Sequence, residues 1–393
     1  MELVWSSEKF KINGLTYEKF PILLNDSMES LTEVNSFLRY YLIQRGRIQS
    51  NKSWKVVGQA LYDYFGFLQA QERKWNENLL FNEVSLLSTY RDYSLRKLNL
   101  SRSTVRQRLC YLCKFYEYSV QCGFIDKLPF QYETVRSIRN LKFLAHTDAT
   151  GGELVSKDIL PKISKLLPKF LSKSQVGSLL NAVDNRHHMM IVRFFLQSGL
   201  RRQELATFPL IYIVNPKFIK TSTKNMCISL NPHDGNEIKT KGSKARNIWI
   251  SRELMSELWN YVIHIRGERS QLSKSPQKQL FLNQFGEGYS DDGKRIERIV
   301  RASGNKAGFR VSPHMLRHTY ATHTLHYLQQ GNHTIEPLVF LQNQLGHSSI
   351  QTVMIYTHLI NSVVEDAVFA YDDEINDLCN SLEHAEKKNI PED

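Results

Sequence analysis

Along most of this chain apolar residues recur three and four positions apart, and one short stretch past the middle breaks that period. The segments "TEVNSFLRYYLIQR" (32–45) and "SWKVVGQALYDYFGFLQAQ" (53–71) carry the helical spacing. "SRSTVRQRLCYLCKFYEYSVQCG" (101–123) adds serines that can cap its start and Gly123 to end it. A second helical run begins at "LSKSQVGSLLNAV" (171–183), where Ser172 or Ser174 can cap, and continues through "MMIVRFFLQSGL" to Gly199 and beyond. The break falls at "MCISL" (226–230) and "RNIWIS" (246–251), on either side of "KTKGSKA" (239–245). Such segments read as a small antiparallel β element with a Lys-Gly-Ser turn. The expected fold is mainly α, with one small antiparallel sheet inside the second helical unit.

The 393 residues are enough for two or three domains. Residues 1–27 are mixed, with "KINGLTYEKFPILL" as a short strand or turn, and are expected to be an N-terminal extension. A helical domain is expected over 28–135. Residues 136–165, with "HTDATGGELVSKD", lack an apolar period and read as a linker. A second domain follows over 166–365, and 366–393 form an acidic helix or tail.

Charge narrows the partner. The chain carries +12 overall, but Glu365 to Asp393 hold ten acidic residues against two lysines, which leaves about +20 on the rest. A basic body with an acidic tail suits a polyanion, most often nucleic acid. In the first helical domain Lys52, Lys55, Arg102, Arg106 and Arg108 lie among aromatics, a pattern compatible with phosphate contacts to a duplex and equally with an ordinary solvated basic face. Five cysteines without framework spacing point to a reducing compartment. Cys110 and Cys113 lack the second pair that zinc needs and fall on a helix with Val105, Leu109, Leu112, Tyr116 and Val120, so they are expected to face a core. The sequence shows no signal peptide and no apolar run of membrane-spanning length, and a cytoplasmic, nucleoid-associated protein is expected.

Several basic and polar residues remain, and each alone is compatible with an ordinary surface. In "SGLRRQEL" (198–205) Arg201 follows Gly199 at a junction of helices, where a guanidinium can fork phosphate oxygens and Glu204 can orient it. Lys241 sits at the β-turn. "SPHMLRHTYATHTL" (312–325) gathers His314, Arg317, His318 and His323 on one helix. Imidazoles titrate near neutrality, so such clustering suggests proton handling, metal binding or phosphate contact. "LGHSSIQTVMIYTH" (345–358) puts His347 at a helix start and Tyr356 nine residues later.

In their order, these words resemble the tyrosine recombinase (phage integrase) family. "SGLRRQEL" is similar to its first arginine box, "IKTKGSKARNIWI" to its lysine hairpin, "SPHMLRHTYATHTL" to its second box, and "LQNQLGHSSIQTVMIYTH" to its third box with the nucleophile. The resemblance covers about 165–365; residues 30–130 resemble the family's SAM-like, helical core-binding domain more loosely. Arg202 beside Arg201, and Lys239 and Lys244 beside Lys241, are the competing assignments; the Gly-Leu-Arg register and the position before Gly242 favour Arg201 and Lys241.

The resemblance implies a site-specific DNA recombinase or integrase that cuts and rejoins DNA through a 3′-phosphotyrosyl intermediate, for integration or excision of a mobile element. Tyr356 would attack, Arg201 and Arg317 would clamp the phosphorane charge, and Lys241 would protonate the leaving 5′ oxygen. His314 would accept the tyrosine proton and His347 would bond a phosphate oxygen, with no cofactor and no metal. His318, His323 and His358 would be helix packing or would support the catalytic groups from behind. The partners implied are a double-stranded recombination site, other protomers in a tetramer on DNA, and accessory DNA-bending proteins, with no membrane. Two alternatives share parts of this pattern: a type IB topoisomerase, from which His314 distinguishes the chain because that box position carries lysine there, and a catalytically silent DNA-binding protein. The stripe Val368, Tyr371, Ile375, Leu378 and Leu382 is expected to dock the acidic C-terminal helix on a neighbouring protomer.

Overall fold

The computed structural model describes residues 1–48, 50–77, 84–136, 153–163, 167–219, 224–290, 292–330 and 336–361. The chain divides into two compact units, Met1–Lys165 and Leu166–Asp393.

In the first unit β1 (Glu2–Trp5) is followed by β2 (Lys11–Ile12) and β3 (Leu15–Thr16), whose connection is Asn13–Gly14. Both residues have positive φ (50° and 79°), the backbone that an Asn-Gly pair favours in a hairpin turn. β4 (Pro21–Leu24) then returns antiparallel to β1, with Glu2 opposite Leu24 and Trp5 opposite Pro21. Helix α1 (Thr32–Leu38) runs on through a π-helical stretch (Arg39–Gln44), followed by α2 (Asn51–Ala70), α3 (Leu86–Arg96) and α4 (Arg102–Gln121). Ser85 and Ser101 cap α3 and α4 by accepting the N–H of Ser88 and Thr104. Phe20 and Leu23 lie in the same core as Phe37, Leu61, Leu109 and Phe115. Residues 1–27 are therefore part of this core rather than an extension beside it. Cys113 is buried there, and burial pushes its thiol up to about 12.

The segment expected as a linker is also partly structured. β5 (Tyr132–Arg136) pairs antiparallel with β6 (Glu153–Lys157), Ile159 is buried in the first core, and the Arg106 guanidinium donates to the Pro161 carbonyl at 3.0 Å. The pairing joins residues far apart in sequence, so no local period announces it. The four strand pairs of the described residues are all two-stranded and antiparallel, against one expected.

The second unit is mostly helical around a single sheet. Ser172 opens α5 (Lys173–Asn181) with a capping box: its hydroxyl accepts the Gln175 N–H, and the Gln175 side chain accepts its own. Asn185 caps α6 (Arg186–Ser198), the hub of this core, with Phe194 and Phe195 fully buried. Then come α7 (Arg202–Ala206), β7 (Asn225–Leu230) and β8 (Arg246–Ser251), paired from Asn225–Ser251 to Leu230–Arg246 around the expected lysine hairpin. Helices α8 (Arg252–Tyr261), α9 (Gly267–Gln271), α10 (Lys294–Lys306), α11 (Pro313–Gln330), α12 (Pro337–Leu345) and α13 (Ile350–Asn361) complete the unit. The C-terminal helix expected over 366–393 lies outside the described residues. Among the described residues no helix is long and apolar enough to cross a membrane.

Candidate active site

The site forms where α6, α11 and α12 end or cross. Gly199 terminates α6 in the left-handed region (φ 64°), and a Cβ there would come within 2.5 Å of the Tyr320 ring and 2.9 Å of Leu345. Only glycine allows both the turn and this approach. The turn delivers Arg201 to the start of α7. Its backbone N–H donates to Glu204 at 2.7 Å, and its guanidinium donates to Glu204 Oε1 at 3.0 Å and to the Gly346 carbonyl at 2.9 Å.

Glu204 is 0% exposed and takes a second guanidinium. Arg246, the first residue of β8, donates from Nη1 and Nη2 to the two carboxylate oxygens at 2.6 and 2.7 Å, the forked geometry of a bidentate pair. Burial alone would raise the Glu204 carboxyl; the bonds and charge of Arg246, then the charges of Arg201 and Arg317, hold it down to about 2. Arg246 also donates from Nε to the Gln344 carbonyl at 3.2 Å. Gln344 ties the framework together, accepting the Trp249 N–H at 2.8 Å while donating to the carbonyls of Trp249 and Ser198.

Arg317, on α11, is 1% exposed. It donates to the carbonyls of Gly199 and Leu345, and its Nη2 lies 3.2 Å from His347 Nε2. Burial first, then the charge of Arg201, push Arg317 down to about 9, which leaves it cationic at neutral pH. Three guanidiniums thus surround one carboxylate, a buried surplus of positive charge that an anion would offset. A pocket of about 380 Å³ opens onto it, lined by Arg201, Arg202, Ser312, His314 and Arg317. At its far side Glu297 pairs with Arg202 and Arg301.

Tyr356, on α13, is 2% exposed, and its hydroxyl is 2.9 Å from His318 Nδ1. Burial raises its pKa against the pull of Arg317 and Arg201. His347 lies nearly parallel to the tyrosine ring, at 6.4 Å and 8°. Burial, then Arg317 and Arg201, hold His347 down to about 3; burial, then His314 and Arg317, hold His318 to about 3. Both are uncharged at neutral pH. His347 Nε2 accepts from Arg317 if its proton is on Nδ1, and that buried Nδ1 has no partner among the described residues.

Arg201, His314, Arg317, His347 and Tyr356 are gathered in one place. His314 is exposed at the pocket rim, and its ring meets that of His318 edge-on at 4.2 Å. The imidazole on the Tyr356 hydroxyl is therefore that of His318, expected as packing or as support for the catalytic groups, and not that of His314. His323 does pack, with Nε2 2.8 Å from the Leu171 carbonyl, and the His358 side chain lies outside the described residues. Lys241 is exposed in the hairpin beside Gly242 (φ 71°), and its charge is felt at His314. Lys239 and Lys244 are exposed as well. Arg202 lines the same pocket but turns to Glu297 and not to Glu204.

Arg246 and Gln344 were not anticipated. A signal for Arg246 was present: Ile248 and Ile250 face inward on β8, so residue 246 shares their face. For His318 the signal was its position one turn after His314 on the same helix face.

This arrangement defines an anion site built beside a tyrosine hydroxyl, the equipment of an enzyme acting on a phosphodiester. The Phage integrase family matches residues 169–362. The tyrosine recombinase XerA of Pyrococcus furiosus is 30% identical over 280 residues, covering 68% of this chain and 87% of that one. The tyrosine recombinase XerC of Bacillus licheniformis is 25% identical, covering 87% of this chain and 97% of its own. The fold is similar to that of the XerH site-specific recombinase bound to palindromic difH substrate (TM-score 0.53, 18% identity, 87% of this chain and 90% of that one). It is likewise similar to the Tn1549 transposon integrase in complex with transposon right end DNA (TM-score 0.52, 17% identity, 82% and 94%). The chain belongs to the tyrosine recombinase family, enzymes that cleave and rejoin DNA strands in site-specific recombination.

Proposed function

We propose that this chain joins two DNA duplexes at a specific site through a 3′-phosphotyrosyl intermediate on Tyr356, in the integration or excision of a mobile element. The observation that carries this reading is the surplus of Arg201, Arg246 and Arg317 over the buried Glu204, with the charges of Arg317 and Arg201 acting on the Tyr356 hydroxyl. Arg201 and Arg317 take the charge that develops on the nonbridging oxygens. His347 Nδ1 donates to one of them. The Tyr356 hydroxyl loses its proton to a histidine of the site as its oxygen bonds to phosphorus; the bond from phosphorus to the 5′ oxygen breaks, and Lys241 gives that oxygen a proton. The XerH and Tn1549 structures hold a recombination substrate and a transposon end, which favours the same class of ligand here. Two duplexes exchanged at once call for four protomers, and accessory DNA-bending proteins belong to the same reading.

The test begins with Tyr356→Phe, which keeps the ring and loses only the oxygen. Duplexes selected from a random-sequence pool by binding to this variant are nicked and given to the wild-type chain. A covalent adduct is expected, mapped by peptide mass to Tyr356, and none from the variant. An adduct on Tyr320 or Tyr371 would sink this reading, and relaxation of plasmids lacking the selected site would favour a topoisomerase.

A further inference from the structure

We infer that His318 is a catalytic residue that accepts the Tyr356 proton when the tyrosine attacks. The inference rests on Tyr356 being the nucleophile. His318 Nδ1 is 2.9 Å from the tyrosine oxygen, within the reach required of a general base. His314 is one ring further away, edge-on against His318 at 4.2 Å.

The surroundings suit an acceptor. His318 is only partly covered, and burial, His314 and Arg317 keep it neutral; with the ring proton on Nε2, Nδ1 offers its lone pair to the tyrosine hydroxyl. An approaching phosphodiester places negative charge between Arg201 and Arg317. That charge offsets the two cations and raises the basicity of His318 at the moment the proton must leave. The step balances without a further reagent. The Tyr356 O–H bond breaks and its proton bonds to Nδ1; the tyrosine oxygen bonds to phosphorus; the bond from phosphorus to the 5′ oxygen breaks, and that oxygen takes a proton from Lys241. In the reverse step His318 returns its proton to the tyrosine. His314 is left to the rim of the pocket, where its exposed ring can meet the phosphate.

The experiment uses the full chain and the selected nicked duplex, and reads the single-turnover rate of adduct formation. His318→Ala should slow it by roughly 10² to 10⁴, the usual worth of a positioned base. His318→Asn separates proton transfer from placement: its amide oxygen can sit where Nδ1 sits and hold the tyrosine hydroxyl, but it is too weak a base to take the proton. A proton acceptor at 318 makes Asn about as slow as Ala, whereas a residue that merely positions the tyrosine lets Asn restore the rate. The third measurement places a polyfluorinated tyrosine, ionised near neutrality, at position 356. With the proton already gone, His318→Ala should cost less than threefold relative to His318 in the same fluorinated background, while Arg317→Ala should stay as slow as before. Recovery by Asn, or an undiminished Ala penalty with the fluorinated nucleophile, would overturn the role of His318. If the wild-type adduct maps to another tyrosine, it is the nucleophile assignment that fails, and this inference with it.

Discussion

The two ends of the active site are built in opposite ways. On one side Arg201 and Arg246 are fastened to Glu204, Arg201 also to the Gly346 carbonyl, and Arg317 to the carbonyls of Gly199 and Leu345, with Glu204 and Arg317 almost fully buried. On the other, Lys241 is exposed in a turn anchored by its neighbours, the Lys239 N–H donating to Thr207 at 3.0 Å and Thr240 buried. The buried side holds its geometry before any ligand arrives, so its binding energy is not spent on ordering side chains. Its cost is charge concentrated around a carboxylate and a guanidinium that are almost fully buried. The hairpin carries no such cost, and its amine must be ordered by the substrate. Residues on the buried side should therefore govern stability and activity together, while Lys241 should govern activity alone.

The sharpest way to break this contrast is Glu204→Gln. The amide leaves three guanidiniums without a counter-charge, and a loss of about 3–5 kcal/mol is expected, read by urea unfolding of the second unit. A pH series sharpens it. Arg246 and Arg201 hold the Glu204 carboxyl down to about 2 in the folded chain, below the ordinary 4.5, so the unfolded chain binds its proton first as pH falls. Its contribution is complete above about 4.5 and is lost between there and about 2, a difference of about 3 kcal/mol. The stability gap between wild type and Glu204→Gln should narrow across that window. A gap that does not change with pH would mean that the carboxylate is not held by these arginines.

Gly199→Ala should have a smaller effect. The methyl group meets the Tyr320 ring and Leu345 and demands a positive φ, so a loss of about 2 kcal/mol is expected, with weaker adduct formation because Arg201 and the Arg317 carbonyl partner both move. An unchanged midpoint in urea would show that the junction of α6, α11 and α12 is looser than its packing implies.

Lys241→Ala should change stability by less than about 0.5 kcal/mol, as an exposed side chain does. It should slow cleavage of an ordinary phosphodiester by roughly 10² to 10⁴. A duplex with sulfur in place of the bridging 5′ oxygen should recover most of the rate, because a thiol leaves without a proton. Arg317→Ala should not recover on that duplex. Equal slowness of Lys241→Ala on both duplexes would move the acid to Lys239 or Lys244.

Much of the molecule was legible from local pattern. Helical spacing and capping residues are properties of neighbours in sequence, and so α4 begins after Ser101, α5 after Ser172, and α6 ends at Gly199. The strands β7 and β8 show themselves by alternation, and the order of the arginine, lysine, histidine and tyrosine words identified the family. Local pattern could not reveal the β1–β4 and β5–β6 pairings, which join strands across intervening chain and bring 1–27 and 153–163 to the first core. Nor could it reveal that Arg246 and Arg201 share one carboxylate, or that Tyr356 meets His318 rather than His314. The sequence by itself determined which chemical groups are present and on which elements they ride, because periodicity and capping act within a few residues. Which groups touch was decided only by the tertiary structure, because α6, α7, β8, α11, α12 and α13 are brought together by a shared core, and a buried charge takes whichever partner that core sets within hydrogen-bond distance.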